Sequence, residues 1–128
     1  RGQRWLQQVQ NAGLNIPALA AVRPCEGVAR TEINPDIKDR CHVLGRTFYL
    51  LEAFPGRYEG GQVWAENAPV ERHDGVATVI VGENDWAAAW AVDERGLPRF
   101  PTMGRNPDEQ REWAFRFGVN LVMYALTG

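Results

Sequence analysis

The run VIVGENDWAAAWAV, residues 79–92, sets two carboxylates and an amide inside an otherwise apolar stretch. Glu83, Asn84 and Asp85 follow Gly82 and precede Trp86. If VATVIVG is a strand, these polar groups lie at its carboxyl end, where ligands bind in open α/β sheets. Asp85 would then be a ligand contact or an acid–base group. Trp86 and Trp90 would supply flat apolar walls for a sugar or an aromatic ring. A structural account competes with this one. An Asp at a strand-to-helix turn caps a helix that begins at Trp86, and both Trp side chains are core.

His42 is the second group with chemistry to offer. As a general base it needs a carboxylate partner and a reacting group within reach, and Asp85 is the acid–base candidate to set beside it. The alternative is a structural His bonded to backbone. His73, in ERHDG, reads as a solvated loop residue. Arg46 and Arg57 flank TFYLLEAFPG and suit either an anion or surface pairing with Glu52 or Glu59. Neither Cys25 nor Cys41 sits on a sharp strand-to-helix turn, so a cysteine nucleophile is not expected. The adjacency of Cys41 and His42 is no dyad, because triad partners meet in space rather than in sequence. GRYEGGQ lacks the phosphate-loop fingerprint. Two Cys and two His without ligand spacing make a poor zinc set. No cofactor and no metal are expected.

Between Cys25 and Cys41 lies EGVARTEINPDIKDR, polar and irregular. A bridge there closes a loop that has no core of its own. For a loop of about 15 residues, chain entropy gives roughly 3 kcal/mol. Cysteines placed this way fit an oxidising compartment; two unrelated free thiols are the alternative.

The 128 residues suit one domain, and 45% hydrophobic with 23% charged residues is a globular composition. Five Trp and five Phe provide apolar area to offset chain entropy. A net charge of −2 with no basic run argues against nucleic acid and against a polybasic membrane-surface segment. No stretch is long enough to span a bilayer, and no signal peptide is visible. Arg1 in place of Met raises the expectation of a processed or excised piece.

RWLQQVQNAGL spaces Trp5, Leu6 and Val9 as a helix that stops at Gly13. IPALAAV is an extended segment or a single turn. Residues 24–41 are loop, with a turn at Asn34-Pro35-Asp36. HVLGRTFYLLEAF is a short helix or turn that points Phe48, Leu51 and Phe54 inward. GGQVWAE alternates as a half-buried strand, Val63 and Ala65 on one face, and APVERHDG is a polar connection. VATVIVG, uniformly apolar, predicts a central strand covered on both faces. WAAAWAV suits a short helix or a strand. After a long loop, Asn106 caps and Pro107 starts a last helix, with Glu109 three residues after the cap. That helix reads as apolar almost all round and buried, with Glu112, Arg116 and Asn120 as its one polar stripe.

HVLGRTFYLLEAFPGRYEGGQVW, GVATVIVGENDWAAAWAVDERGLPRFP and REWAFRFGVNLVMYALTG together resemble the C-terminal half of domain of unknown function 4159. The resemblance runs in unbroken order over 41–128 and leaves 24–41 as an inserted loop. It implies an α/β fold, a flavodoxin-like three-layer sheet related to class I glutamine amidotransferases, and an origin in large bacterial membrane-anchored or exported proteins. Relatives carry further strands upstream, so the sheet is expected to be incomplete here. The resemblance implies a fold and a context and supplies no reaction.

The expectation is therefore a single α/β domain, a module of the bacterial periplasm or cell envelope, with the cytoplasm as the alternative. It binds a small molecule or a protein without catalysis, through Glu83, Asn84, Asp85, Trp86 and His42. The alternatives are a hydrolase using Asp85 and His42, and a structural fragment that completes its sheet by association, for example as a homodimer.

Overall fold

A computed structural model of the chain describes residues 18–27, 41–67 and 76–126. The helix expected around Trp5, the Asn34-Pro35-Asp36 turn and the connection that holds His73 lie outside these residues. The described part is a mixed α/β arrangement. It contains a small antiparallel sheet, one 3-10 turn and two helices.

Strand β1 (Leu19–Ala21), β2 (Val63–Glu66) and β3 (Ile80–Gly82) lie in the order β1-β2-β3. Leu19 faces Glu66 across the first pair, and Val63 faces Gly82 across the second. β2 holds the centre. Its Val63 and Ala65 are buried and Trp64 and Glu66 half-buried, the alternation expected of GGQVWAE. β1 falls within the segment expected to be extended or a turn. VATVIVG behaves differently from its expectation. Only Ile80–Gly82 is strand, it pairs with β2 alone, and all three residues are half-buried. Among the described residues β3 is an edge strand, because an unbroken apolar run carries no periodicity to separate a central strand from a half-covered one.

The chain around the second cysteine is irregular. A single 3-10 turn spans Val43–Gly45. Leu51 and Phe54 point inward as expected, but Phe48 is 58% exposed. The amides of Phe48 and Tyr49 both donate to Asn120 Oδ1, at 3.3 and 2.8 Å, and the Phe48 ring rests edge-on against Tyr49. Cys25 and Cys41 form a disulfide with an S–S distance of 2.02 Å. Both are buried, with Leu50 packed against them. The bridge ties the chain after β1 to the 3-10 turn, beside hydrogen bonds from Cys25 N to Leu51 O and from His42 N to Arg23 O.

Helix α1 (Trp86–Trp90) and helix α2 (Pro107–Leu126) pack against each other. WAAAW is helical because Trp86 and Trp90, four residues apart, face the same way. Trp86 stacks on Phe117 at 4.3 Å between ring centroids, and Trp90 Nε1 donates to Ala114 O at 2.7 Å. α2 starts where the sequence places it. The Asn106 carbonyl accepts from Gln110 N, and Asn106 Nδ2 donates to Glu109 Oε2 at 2.7 Å. The expected Glu112–Arg116 pair forms at 3.2 Å.

The faces of α2 are a correction to the sequence reading. Gln110, Ala114, Phe117, Asn120 and Tyr124 form the buried face. Phe115, Val119, Val122 and Leu126 are exposed. With Trp90, Gly118 and Met123, three of them line an apolar depression of about 370 Å³. Asn120, expected on the solvated stripe, is fully buried. A polar residue enters the core only when its hydrogen bonds are met, and Asn120 meets them. Its Nδ2 donates to Leu44 O and Tyr49 O at 2.7 and 2.8 Å, and its Oδ1 takes the two amides named above. Val22, Leu44, Leu51, Phe54, Val63, Ala65, Phe117 and Tyr124 form the core between sheet and α2.

Candidate functional site

The turn Gly82–Asp85 leads from β3 into α1, and each of its side chains has a different fate. Glu83 stays exposed, and its Oε2 accepts from Gln62 N at 3.4 Å. Asn84 is 1% exposed, and its Nδ2 donates to Phe54 O. Asp85 adopts the left-handed conformation (φ 54°), and its side chain accepts from Ala88 N at 3.3 Å, capping α1. Trp86 turns inward and also donates from Nε1 to Phe54 O, at 3.4 Å. Asp85 therefore caps α1, as the structural account anticipates, and Asn84 and Trp86 both hold the carbonyl of Phe54.

His42 serves as N-cap of the 3-10 turn. Its Nδ1 accepts from Leu44 N at 3.1 Å, and its ring stands edge-on to Tyr124. An accepting Nδ1 must be unprotonated. Burial, and secondarily the Arg46 charge, hold its pKa below the ordinary 6.5. The partners of His42 are Arg23, Leu44, Gly45 and Tyr124, whereas those of Asp85 are Arg57, Ala88 and Ala89. No described contact joins the two.

The main effect of the Asn84 turn is on the loop 54–61. Arg57 N donates to Asp85 O and Tyr58 N to Asn84 O, at 3.1 and 3.3 Å. A Cβ on Gly56 would overlap the Asn84 carbonyl, and one on Gly61 would overlap the Asn84 side chain. Glycine at both positions is what lets the loop close over Asn84. From the other direction, Gln110 Nε2 donates to Gly56 O and Arg57 O at 2.8 and 2.9 Å. Met103 N donates to Arg57 O at 2.6 Å. Two buried amides, one from each helix region, thus grip one loop.

A recess of about 430 Å³ opens beside that loop, lined by Glu52, Ala53, Pro55, Glu59, Asn106, Glu109, Gln110 and Trp113. Pro55, Ala53 and the Trp113 ring supply apolar wall, and three carboxylates supply its charge. None of Glu83, Asn84, Asp85, Trp86 or His42 lines it. Sequence reasoning missed the recess because its residues come from two segments about 50 positions apart, each ordinary by itself. Among the described residues no three His, Cys, Asp or Glu side chains group so as to hold a metal ion. No helix among them is long and apolar enough to cross a membrane.

A family described as a domain of unknown function (DUF4159) matches residues 35–126, well over half of the chain. Comparison with curated proteins gives no match.

Proposed function

The chain belongs to the DUF4159 family, and on that premise we propose that it is a non-catalytic binding module of a bacterial cell-envelope protein. The observation that carries the reading is the recess between loop 52–59 and the start of α2. Concave sites with apolar walls and a few fixed polar groups are where small molecules and partner side chains bind. Binding costs least when the wall is already in place. Asn84 and Gln110 supply that fixity by bonding the backbone at Phe54, Gly56 and Arg57. In this reading Asn84 and Trp86 position the wall from behind. Glu83 and Asp85 are exposed polar neighbours at the end of β3, and His42 secures the 3-10 turn.

The Cys25–Cys41 bridge supports an oxidising compartment, periplasm or cell envelope. The family resemblance supports a flavodoxin-like, amidotransferase-like sheet that is larger than the three strands described. The partner is a small molecule or a protein segment.

The test is chemical-shift mapping of the oxidised protein with a mixed set of small amines, acids, amides and aromatics. The expected result is perturbation concentrated on residues 52–59 and 106–113. Hits confined to Glu83–Trp86 or to the apolar face of α2 would move the site, and a set without hits would remove it.

A further inference from the structure

Resting on the recess reading above, we infer that the recess takes the guanidinium group of an arginine side chain presented by a basic peptide segment.

The recess is an inventory of acceptors. Glu52, Glu59 and Glu109 contribute carboxylates, and no Lys, Arg or His lines it. Two of the carboxylates are partly used: Glu59 Oε1 accepts from Arg105 N at 3.2 Å, and Glu109 Oε2 accepts from Asn106 Nδ2. Glu52 has no hydrogen-bond or ion-pair partner among the described residues.

Gln110 adds an observation independent of the charges. Its side chain lines the recess and is 5% exposed. Its amide orientation is fixed, because Nε2 donates to both Gly56 O and Arg57 O, and reversing it would lose both bonds. Oε1 therefore points the other way, buried and without a donor. It packs against the backbone of Gly104, where a Cβ would overlap it, with the Cγ of Glu59 close by. A buried acceptor without a donor costs free energy; a donor in the recess recovers it once the exposed Glu59 side chain, which lies beside Oε1, swings aside.

Guanidinium fits this inventory better than ammonium. It is planar, carries five N–H donors in a fixed fork and pairs with carboxylates bidentately. Its alkyl stem needs apolar cover, which Pro55, Ala53 and Trp113 provide. The Trp113 ring already carries the Arg116 guanidinium, 5.4 Å from its centroid, so an incoming stem must use the part of the ring that Arg116 leaves free. The positive end of the α2 dipole opposes a cation at this place; Asp108 and Glu109 in the first turn offset it.

The experiment titrates the oxidised protein with N-acetyl-arginine amide, the isosteric neutral N-acetyl-citrulline amide and N-acetyl-glutamate amide, observed by NMR. The double variant Glu52→Gln/Glu59→Gln changes two exposed side chains and leaves the buried amides intact. Glu94→Gln, on a remote exposed loop, is the control. The arginine compound should shift residues 52–59 and 106–113. Its affinity should fall about tenfold or more in the double variant and stay unchanged in the control, and it should weaken as salt rises. Equal binding of the citrulline compound overturns the guanidinium inference and leaves the recess reading standing. Preference for the glutamate compound does the same. If none of the three binds while other fragments still map to the recess, the inference falls alone. If those fragments fail as well, both readings fall.

Discussion

Asn84 and Gln110, 26 positions apart, hold the same loop at adjacent points: Asn84 donates to the carbonyl of Phe54, and Gln110 to those of Gly56 and Arg57. Asn120 does the same for residues 44–49. With only three strands of three or four residues among those described, much of the backbone here pairs outside ladders. Buried amides take over that pairing. An amide side chain both donates and accepts, so one residue can settle several loop groups.

Removing such a clamp should be costly. Asn120→Ala leaves backbone groups at Leu44, Phe48 and Tyr49 without partners, and we expect a loss of about 3 kcal/mol in urea unfolding. Val122→Lys, two residues away on the exposed face, should change stability by no more than about 0.5 kcal/mol. Equal costs would mean that the faces of α2 are assigned wrongly.

Gly56→Ala places a methyl against the Asn84 carbonyl, which is backbone and cannot turn aside. Overpacking of this kind costs roughly 1–3 kcal/mol. Gly60→Ala, with nothing near its Cβ, should be close to neutral by the same measurement, and a reversed order would contradict the closed loop.

Asp85 separates capping from chemistry. Asp85→Asn keeps an acceptor and tolerates the left-handed backbone, so it should unfold at nearly the wild-type midpoint. Asp85→Ala loses the cap and retains the strain, and should cost about 1–2 kcal/mol. If Asn destabilises as much as Ala, the carboxylate charge matters more than the cap.

These contrasts bear on what a reader of the sequence can see. The alternation of Val63 and Ala65, the Asn106-Pro107 helix start and the capping option at Asp85 were legible, because each is set by neighbours in sequence; the Cys25–Cys41 bridge was legible because the chain has only these two cysteines to pair. The roles of Asn84, Gln110 and Asn120 were not. Their partners lie 30 to 76 positions away, and an amide carries no mark of which backbone it will meet. Asn120 reads as part of the polar stripe because it stands four residues after Arg116, and that spacing holds. What the sequence could not reveal is that the neighbouring apolar face of α2 would be the exposed one.

His42 predicts a pH dependence. Its pKa is held below 6.5 in the folded protein, so below that pH the unfolded chain binds the proton more readily. Stability should fall as pH drops from about 6.5 toward the lowered folded value, and should be indifferent to His42 above it. His42→Asn can cap the same turn without titrating. Unfolding free energies measured against pH should lose this slope in the variant. An unchanged slope would assign it to another group.

Reduction of the disulfide offers a fifth kind of test. Opening a loop with a sequence separation of 16 should cost about 3 kcal/mol, read as a lower unfolding midpoint in reductant. Cys25→Ser/Cys41→Ser should show the same loss and no further response to reductant. A double variant as stable as the oxidised protein would remove the bridge from the account.

The most direct measurement is a crystal structure of the oxidised protein soaked with N-acetyl-arginine amide. The account predicts its guanidinium between Glu52, Glu59 and the Gln110 Oε1, with the Glu59 side chain turned off that oxygen, the stem along Trp113 and the backbone of loop 54–61 unmoved. An ordered compound elsewhere with the recess empty, or a recess that exists only after loop 54–61 has shifted, would contradict it.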